Sequence, residues 1–324
     1  MQARTRTYLV VAIAALCAAG LVVATVAFTR TSSGTNASSR GQTAAAAGGK
    51  APALVLDLGV RTDAEAVALR RANQLYAAGK RRAAGAIFRR HRSVEAQIGV
   101  ALAAWPTGTV ARLESLAQRH PNDGLVLLHL GLAQVASGDA SRARAAWRQA
   151  LDRDPDTEAA VQAESLLYPR FAPGRPPFVP SFGIPASIAR LSPPRQLAAF
   201  ARAARGDDAH AKLLYGSALQ RLGRSDSAER EFAAAERLAP GDPETQVAAA
   251  VGRFSKARPQ DAFSRLGPLA PRYPRAQTVR FHLGELLLWI GRLKLARVEL
   301  RLAYDEGRRT PLGRTANEFL KRLS

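Results

Sequence analysis

The sequence predicts an all-α fold, a solenoid of stacked helix-turn-helix repeats. Alanine, leucine and arginine dominate a composition in which aromatic residues make up only 6%. β-branched residues are scattered singly after the first stretch of the chain, so no strand is expected. Small residues and prolines also recur at a fixed spacing of 34 residues, as in Ala228, Ala262 and Ala296. A fixed period of this length is typical of repeat architectures.

The front of the chain is predicted to lie outside the repeats. Residues 8–28 carry no charge, and a helix of this length, at about 1.5 Å per residue, spans the hydrocarbon core of a bilayer. We expect residues 1–7 to form a cytoplasmic tail, residues 8–28 a transmembrane anchor or a long signal sequence, and residues 29–64 a flexible linker. The Arg residues before the apolar run predict a single-pass protein of a bacterial cell membrane, with an extracytoplasmic repeat domain.

Three stretches of the sequence share one pattern. A Gly is followed by an Ala, then by an aromatic residue or Leu, and twice by a closing Pro. This pattern resembles the tetratricopeptide repeat, and the resemblance implies an α-solenoid in which the first helix of each unit lines a concave groove. The repeat-defining positions are Gly131, Ala143, Trp147, Pro155, Gly216, Ala228, Phe232, Pro240, Ala262, Pro274, Gly284 and Ala296.

The phase of the repeat divides the remainder of the chain. We predict a first array over residues 65–168, a proline-rich insertion over 169–195, a second array over 196–310 and a capping helix over 311–324. The prolines of the insertion forbid a long helix and favour an extended course. Two interpretations stay open: a stiff linker between the arrays, or a segment that folds back over the groove.

The sequence contains no arrangement that requires catalysis. Cys17 is the only cysteine, which excludes a disulfide, a C-x-x-C redox pair and a thiolate zinc site within one chain. The Gly79-Lys80 pair is followed by Arg81, where a phosphate-binding loop needs a hydroxyl residue. His129 and His282 each precede Leu-Gly, so we expect equivalent packing positions rather than one metal site. The chain is therefore predicted to be no enzyme and to need no cofactor or metal.

The groove is the predicted binding surface, with other proteins or peptides as partners. The stretch GLVLLHLGLAQVA at residues 124–136 is apolar on all sides, so it must be covered on all sides. Either the chain covers it, with the insertion or the helix near residues 161–168 as candidates, or an apolar partner does. Trp289 would serve as core or as a binding anchor. The predicted groove residues are Leu125, Leu128, Leu132, Val135, Phe281, Leu288 and Trp289.

The net charge of +21 is spread along the chain, with one dense cluster. That basic cluster comprises Lys80, Arg81, Arg82, Arg89, Arg90 and Arg92. It is either a solvated helix face or a surface for anionic lipid or polymer. Nucleic acid is disfavoured because the basic segments lack interleaved aromatic residues. The sequence thus predicts a membrane-anchored interaction scaffold, such as an assembly factor for envelope or secretory complexes, with an anionic-polymer or lipid-surface binder as the alternative.

Overall fold

The computed structural model describes residues 50–323, which form helices joined by turns and two extended segments. No strand occurs in this part of the chain. The prediction of an all-α fold built from helix-turn-helix repeats is confirmed. The described chain divides into two compact units, an N-terminal unit that ends at Leu167 and a C-terminal unit that begins at Tyr168.

Asp side chains begin several helices of the N-terminal unit. The Asp63 carboxylate accepts from the Ala66 N–H, and the Asp123 carboxylate accepts from the N–H groups at the start of the next repeat. Gly79 and Gly138 have φ of 76° and 94° in the turns between paired helices, a conformation that favours glycine. The helices are α1 Ala64–Ala77, α2 Arg81–Phe88, α3 Val94–Ala103, α4 Thr109–Arg119, α5 Gly124–Ala136, α6 Ala140–Arg153 and α7 Glu158–Leu167.

The C-terminal unit repeats this arrangement. Gly223 and Gly291 provide the turns between its paired helices, with φ of 74° and 76°. The last helix packs Leu312, Ala316 and Phe319 into the core. The helices are α8 Ala186–Ala189, α9 Pro193–Ala203, α10 Ala209–Arg221, α11 Ser225–Leu238, α12 Pro243–Gly252, α13 Gln260–Leu266, α14 Leu269–Arg272, α15 Gln277–Trp289, α16 Leu293–Glu306 and α17 Pro311–Leu323.

A glycine in the first helix of each clear repeat receives a large side chain from the second helix. A Cβ at Gly131 would lie 2.3 Å from the Trp147 indole nitrogen, and a Cβ at Gly216 would lie 2.5 Å from the Phe232 ring. No real Cβ tolerates such distances, so only glycine permits this approach of the two helices. Trp147 also donates its N–H to the Leu128 carbonyl at 3.2 Å. The repeat pattern therefore records how the helices pack.

The prediction of a single-pass membrane location is wrong for the part of the chain that the structure describes. Between residues 50 and 323, no helix combines the length and the apolar character needed to cross a bilayer. The longest helices described there have 14 residues, whereas a helix that crosses a bilayer needs about 20. The segment for which a membrane span was predicted, residues 8–28, lies outside the described residues.

Candidate functional site

Each unit holds an extended segment of its own chain against the first helices of its repeats. In the N-terminal unit this is residues 51–59, termed the N-terminal segment, which the sequence placed in a flexible linker. In the C-terminal unit it is residues 171–183, termed the proline-rich segment. Leu54 and Leu58 of the first, and Phe178 and Val179 of the second, are buried. Both grooves are therefore occupied.

A buried histidine forms the same contact in both grooves. The Val55 N–H donates to His129 Nε2 at 3.0 Å, and the Val179 N–H donates to His282 Nε2 at 3.0 Å. In each case Nδ1 lies 2.7 Å from the carbonyl oxygen four residues earlier, that of Leu125 or Thr278. Since Nε2 accepts, Nδ1 carries the proton and donates to that carbonyl. The helix thus fixes the tautomer that binds the segment.

This contact requires a neutral imidazole. Both histidines are fully buried, and burial lowers the pKa of His129 and of His282 to about 4. Protonation would turn Nε2 into a donor facing another donor, the N–H of the segment. The depressed pKa values therefore keep both rings in the state that holds the segments at neutral pH.

The remaining contacts of the N-terminal segment are mostly apolar. The Tyr76 hydroxyl donates to the Pro52 carbonyl at 2.7 Å, and burial raises the pKa of Tyr76 to about 12. Leu54 and Leu58 pack into the core of the unit. The Arg70 guanidinium donates to the Gly59 carbonyl at 3.4 Å, so side chains of the array hold the segment at three backbone positions, with Leu54 and Leu58 between them.

The proline-rich segment is held by more polar contacts. The Gln220 side chain accepts from the Phe178 N–H at 2.8 Å and donates to the Pro176 carbonyl at 3.1 Å, so one side-chain amide binds two backbone groups of the segment. The Glu244 carboxyl accepts from the Ser181 N–H at 2.6 Å and from its hydroxyl at 3.0 Å. Burial raises the pKa of Glu244, and the bonds from Ser181 oppose that shift.

An aromatic residue anchors the proline-rich segment. The Phe178 ring stacks on His282, with centroids 5.1 Å apart, and meets Phe232 edge-on at 5.3 Å. Phe178 is 1% exposed. Because Phe232 is also the residue that fills the space beside Gly216, the segment contacts the joint of a repeat directly. The segment is part of the core of this unit.

The structure divides the predicted groove residues into covered and accessible ones. Val135 is 43% exposed and Leu132 is partly exposed. Their role in binding a partner stays a prediction. The other five are buried, namely Leu125, Leu128, Phe281, Leu288 and Trp289. The insertion is one of the covers that the sequence allows for the helix at residues 124–136. Its contacts described above are with the C-terminal unit instead, and residues 51–59 lie against the N-terminal unit.

Sequence reasoning missed the residues that hold the segments. These are His129, His282, Gln220 and Glu244. Two signals could have found the histidines: their shared position before Leu-Gly, and the shared pattern of ALVLDLG at residues 53–59 and PFVPSFG at residues 177–183. The two short stretches place a valine and a glycine in the same register, and the valine is the residue that the histidine binds.

The basic cluster is largely an exposed surface. Lys80, Arg82, Arg89, Arg90 and Arg92 are exposed. Arg81 differs, because its guanidinium donates to the Trp105 carbonyl at 2.9 Å and so stabilises the packing of α2. Over residues 50–323, no group of three or more His, Cys, Asp or Glu side chains is arranged to hold a metal ion.

No family model matches this sequence, and no curated protein matches it. Solved structures with a similar course of the chain include yeast Tom70, with 14% identity, a TM-score of 0.32, and coverage of 80% of this chain and 53% of that one. The APC/C hetero-tetramer Cut9-Hcn1 is 15% identical, with a TM-score of 0.28 and coverage of 80% of this chain and 56% of that one. The assembly chaperone of RpL4, Acl4, is 16% identical, with a TM-score of 0.23 and coverage of 81% of this chain and 97% of that one. The chain spans about half the length of the first two. TM-scores this low do not assign a fold, so the fold is assigned from the helices and contacts described above.

Proposed function

We propose that this chain is a protein-interaction scaffold whose grooves bind extended peptide segments. The observation that supports it is the repeated contact between a buried histidine and the backbone N–H of an extended segment, at His129 and at His282. A backbone contact of this kind is independent of sequence, and apolar pockets beside it provide specificity. The chain's own segments are then ligands held in place by their linkage to the array.

The N-terminal groove is the site that we propose for partners. Its segment leaves Leu132 partly exposed and Val135 43% exposed, on the helix that carries His129. A partner with an extended apolar stretch would compete with residues 51–59 for His129 and would also cover these two side chains. The linked segment is present at a high effective concentration and fills the groove most of the time. The apparent affinity for a partner is therefore lower than the affinity of the empty groove.

A labelled peptide of residues 50–60 tests the groove as a peptide site. We expect it to bind weakly to the native chain and about tenfold more tightly to the Leu58→Asp variant, whose own segment is released. Val55→Pro in the peptide removes the N–H that His129 accepts, and so should abolish binding. A circular dichroism spectrum shows that the variant is folded. Equal binding of the native and proline peptides would overturn the proposed contact.

Site-specific photocrosslinking in cells tests the function itself. A photoreactive residue replaces Leu132, and a matched one replaces Leu238, which is 40% exposed on α11, in the C-terminal unit. We expect a reproducible protein adduct at position 132 that is absent at position 238. Adducts only to lipid or polymer, or identical adducts at both positions, would contradict the scaffold function.

The second candidate function is binding of an anionic polymer or lipid surface through the basic cluster. The exposure of Lys80, Arg82, Arg89, Arg90 and Arg92 favours it. Binding of this type weakens steeply as salt rises, whereas groove binding does not. For this function we expect the chain to be retained on heparin at low salt and released at moderate salt. The double variant Arg89→Glu with Arg90→Glu should be retained less. Retention unchanged by those substitutions would exclude the cluster.

A further inference from the structure

Helix α16 carries an apolar stripe that nothing in the described chain covers. Seven large apolar side chains are exposed over residues 50–323, and three of them lie on this one helix: Leu295 at 57%, Val298 at 56% and Leu302 at 40%. Their spacing of three and four residues places them on one face of the helix. Ala296, Leu300 and Ala303 on the other side are buried in the array. The helix is therefore apolar on two faces, and the fold uses only one.

The repeat itself does not require this stripe. Aligned on Gly131, Gly216 and Gly284, the second helices of the other two clear repeats carry polar or small residues at the same three positions. These are Arg142, Ala145 and Gln149 in α6, and Ser227, Arg230 and Ala234 in α11. Since the other two clear repeats pack without a large apolar residue at these three positions, the packing of the repeat does not require the stripe on α16.

One flank of the stripe is positively charged. Lys294 and Arg301 are seven residues apart, so they lie on the same side of the helix, and both are exposed. Neither forms an ion pair with any residue of the described chain. On the opposite flank, Glu299 is bound by the Arg280 guanidinium at 3.0 Å. Glu306, four residues after Leu302, is also exposed and forms no ion pair within residues 50–323, so the unpaired charges beside the stripe are two bases and one carboxylate, which leaves a net positive charge.

We propose that α16 docks an acidic amphipathic helix of a partner protein. The apolar face of that helix contacts Leu295, Val298 and Leu302, and its carboxylates pair with Lys294 and Arg301. Helices that lie side by side bury matching apolar stripes and choose partners through the charges along the edges. This surface lies on a second helix of the repeat, so it is separate from the groove and does not depend on the function proposed for the groove.

The observations favour this occupant over the two others that such a stripe could take. An antiparallel pair of identical helices would bring Lys294 and Arg301 against the same two bases. A parallel pair would bring them against the flank of Glu299, which the Arg280 guanidinium already binds. An interfacial membrane helix presents a broad apolar face with aromatic residues. Here the free face is three aliphatic side chains with no aromatic residue among them, and exposed charged side chains border it.

A designed pair of labelled peptides tests the proposal with the full-length chain in solution. Both peptides repeat Leu at helical a and d positions; one carries Glu at the flanking positions and the other carries Lys. We expect the acidic peptide to bind the native chain, and Val298→Asp to weaken binding at least about tenfold, because a carboxylate would be buried against the apolar face. Val67→Asp on α1 is the matched control, since Val67 is also 57% exposed, and it should leave binding unchanged.

Charge reversal separates this docking from apolar adhesion. The double variant Lys294→Glu with Arg301→Glu should lose the acidic peptide and gain the basic one. Equal binding of both peptides by the native chain would overturn the proposal. The proposal would also be overturned if the chain bound no peptide but bound vesicles of equal parts phosphatidylcholine and phosphatidylglycerol, and if Val298→Asp weakened that binding. A native dimer that Val298→Asp dissociates, measured by sedimentation, would assign the stripe to a second copy instead.

Discussion

The two grooves share one backbone contact and differ in the side chains around it. In the N-terminal unit, the residues three and seven positions after His129 are Leu132 and Ala136, both partly exposed. In the C-terminal unit, the equivalent residues after His282 are Glu285 and Trp289, both buried at 1% exposure. The histidine therefore fixes how a segment runs, while the neighbouring side chains decide how completely the groove is closed.

The segments differ in the same sense. The proline-rich segment is held by His282, Gln220 and Glu244, and its Phe178 lies in the core. The N-terminal segment is held by His129, by the Tyr76 hydroxyl and by a long bond of 3.4 Å from Arg70, and it buries two leucines but no aromatic ring. We therefore expect residues 51–59 to leave their groove at a lower free-energy cost than residues 171–183. The following predictions test this difference.

The largest effect is expected at Phe178. Phe178→Ala removes a fully buried ring from between His282 and Phe232, and should lower the free energy of unfolding of the C-terminal unit by about 3–5 kcal/mol. Leu54→Ala is the matched change in the other segment and should cost about 2–3 kcal/mol, because fewer buried atoms are lost. Urea denaturation measures both values. An equal cost for the two substitutions would contradict the difference between the grooves.

Acidification should destabilise both units through the histidines. In the unfolded chain each imidazole has a pKa near 6.5, whereas the buried rings have a pKa of about 4. As pH falls from about 6.5 towards 4 the unfolded state binds protons that the folded state cannot, so stability falls by about 2 kcal/mol per histidine at pH 5. Denaturation at pH 7 and pH 5 measures the loss.

The control for this pH dependence is the pair of variants His129→Gln and His282→Gln. Each replaces the imidazole by a side chain that can accept from the segment without titrating, so the loss between pH 7 and pH 5 should shrink by one histidine in each variant. A loss that stays the same in both would show that other groups cause it.

At Glu285 we expect the opposite pH dependence, a cost to stability that grows as pH rises, and a smaller effect. Its carboxyl is buried without a hydrogen-bond partner, and burial raises its pKa well above the usual range. The unfolded carboxyl ionises near pH 4.5 while the folded one keeps its proton, so the cost of this residue grows as pH rises above that value. Glu285→Leu, which copies Leu132, should raise stability by about 1–3 kcal/mol at pH 7 and by less at pH 4. Destabilisation at pH 7 would show that the carboxyl has a partner.

The repeat could be predicted from the sequence, since Gly131, Ala143 and Trp147 encode a packing joint that recurs at the same spacing. The shared pattern of residues 53–59 and 177–183 indicates that these two stretches are related, but the sequence could not show that each one fills a groove. The contact between Val55 and His129 joins residues 74 positions apart, and it uses a backbone N–H, which leaves no trace in the residue type. An apolar stretch such as residues 53–58 is compatible with a linker or with a bound segment, and only the groove of the folded unit distinguishes them.

The protection of two amide protons tests the central claim most directly. If each histidine holds its own segment, hydrogen exchange measured by NMR should show slow exchange at the N–H of Val55 and of Val179. His129→Ala should then accelerate exchange at Val55 alone, and His282→Ala at Val179 alone. Fast exchange at both positions in the native chain, or no change at either amide in the matching variant, would contradict the account.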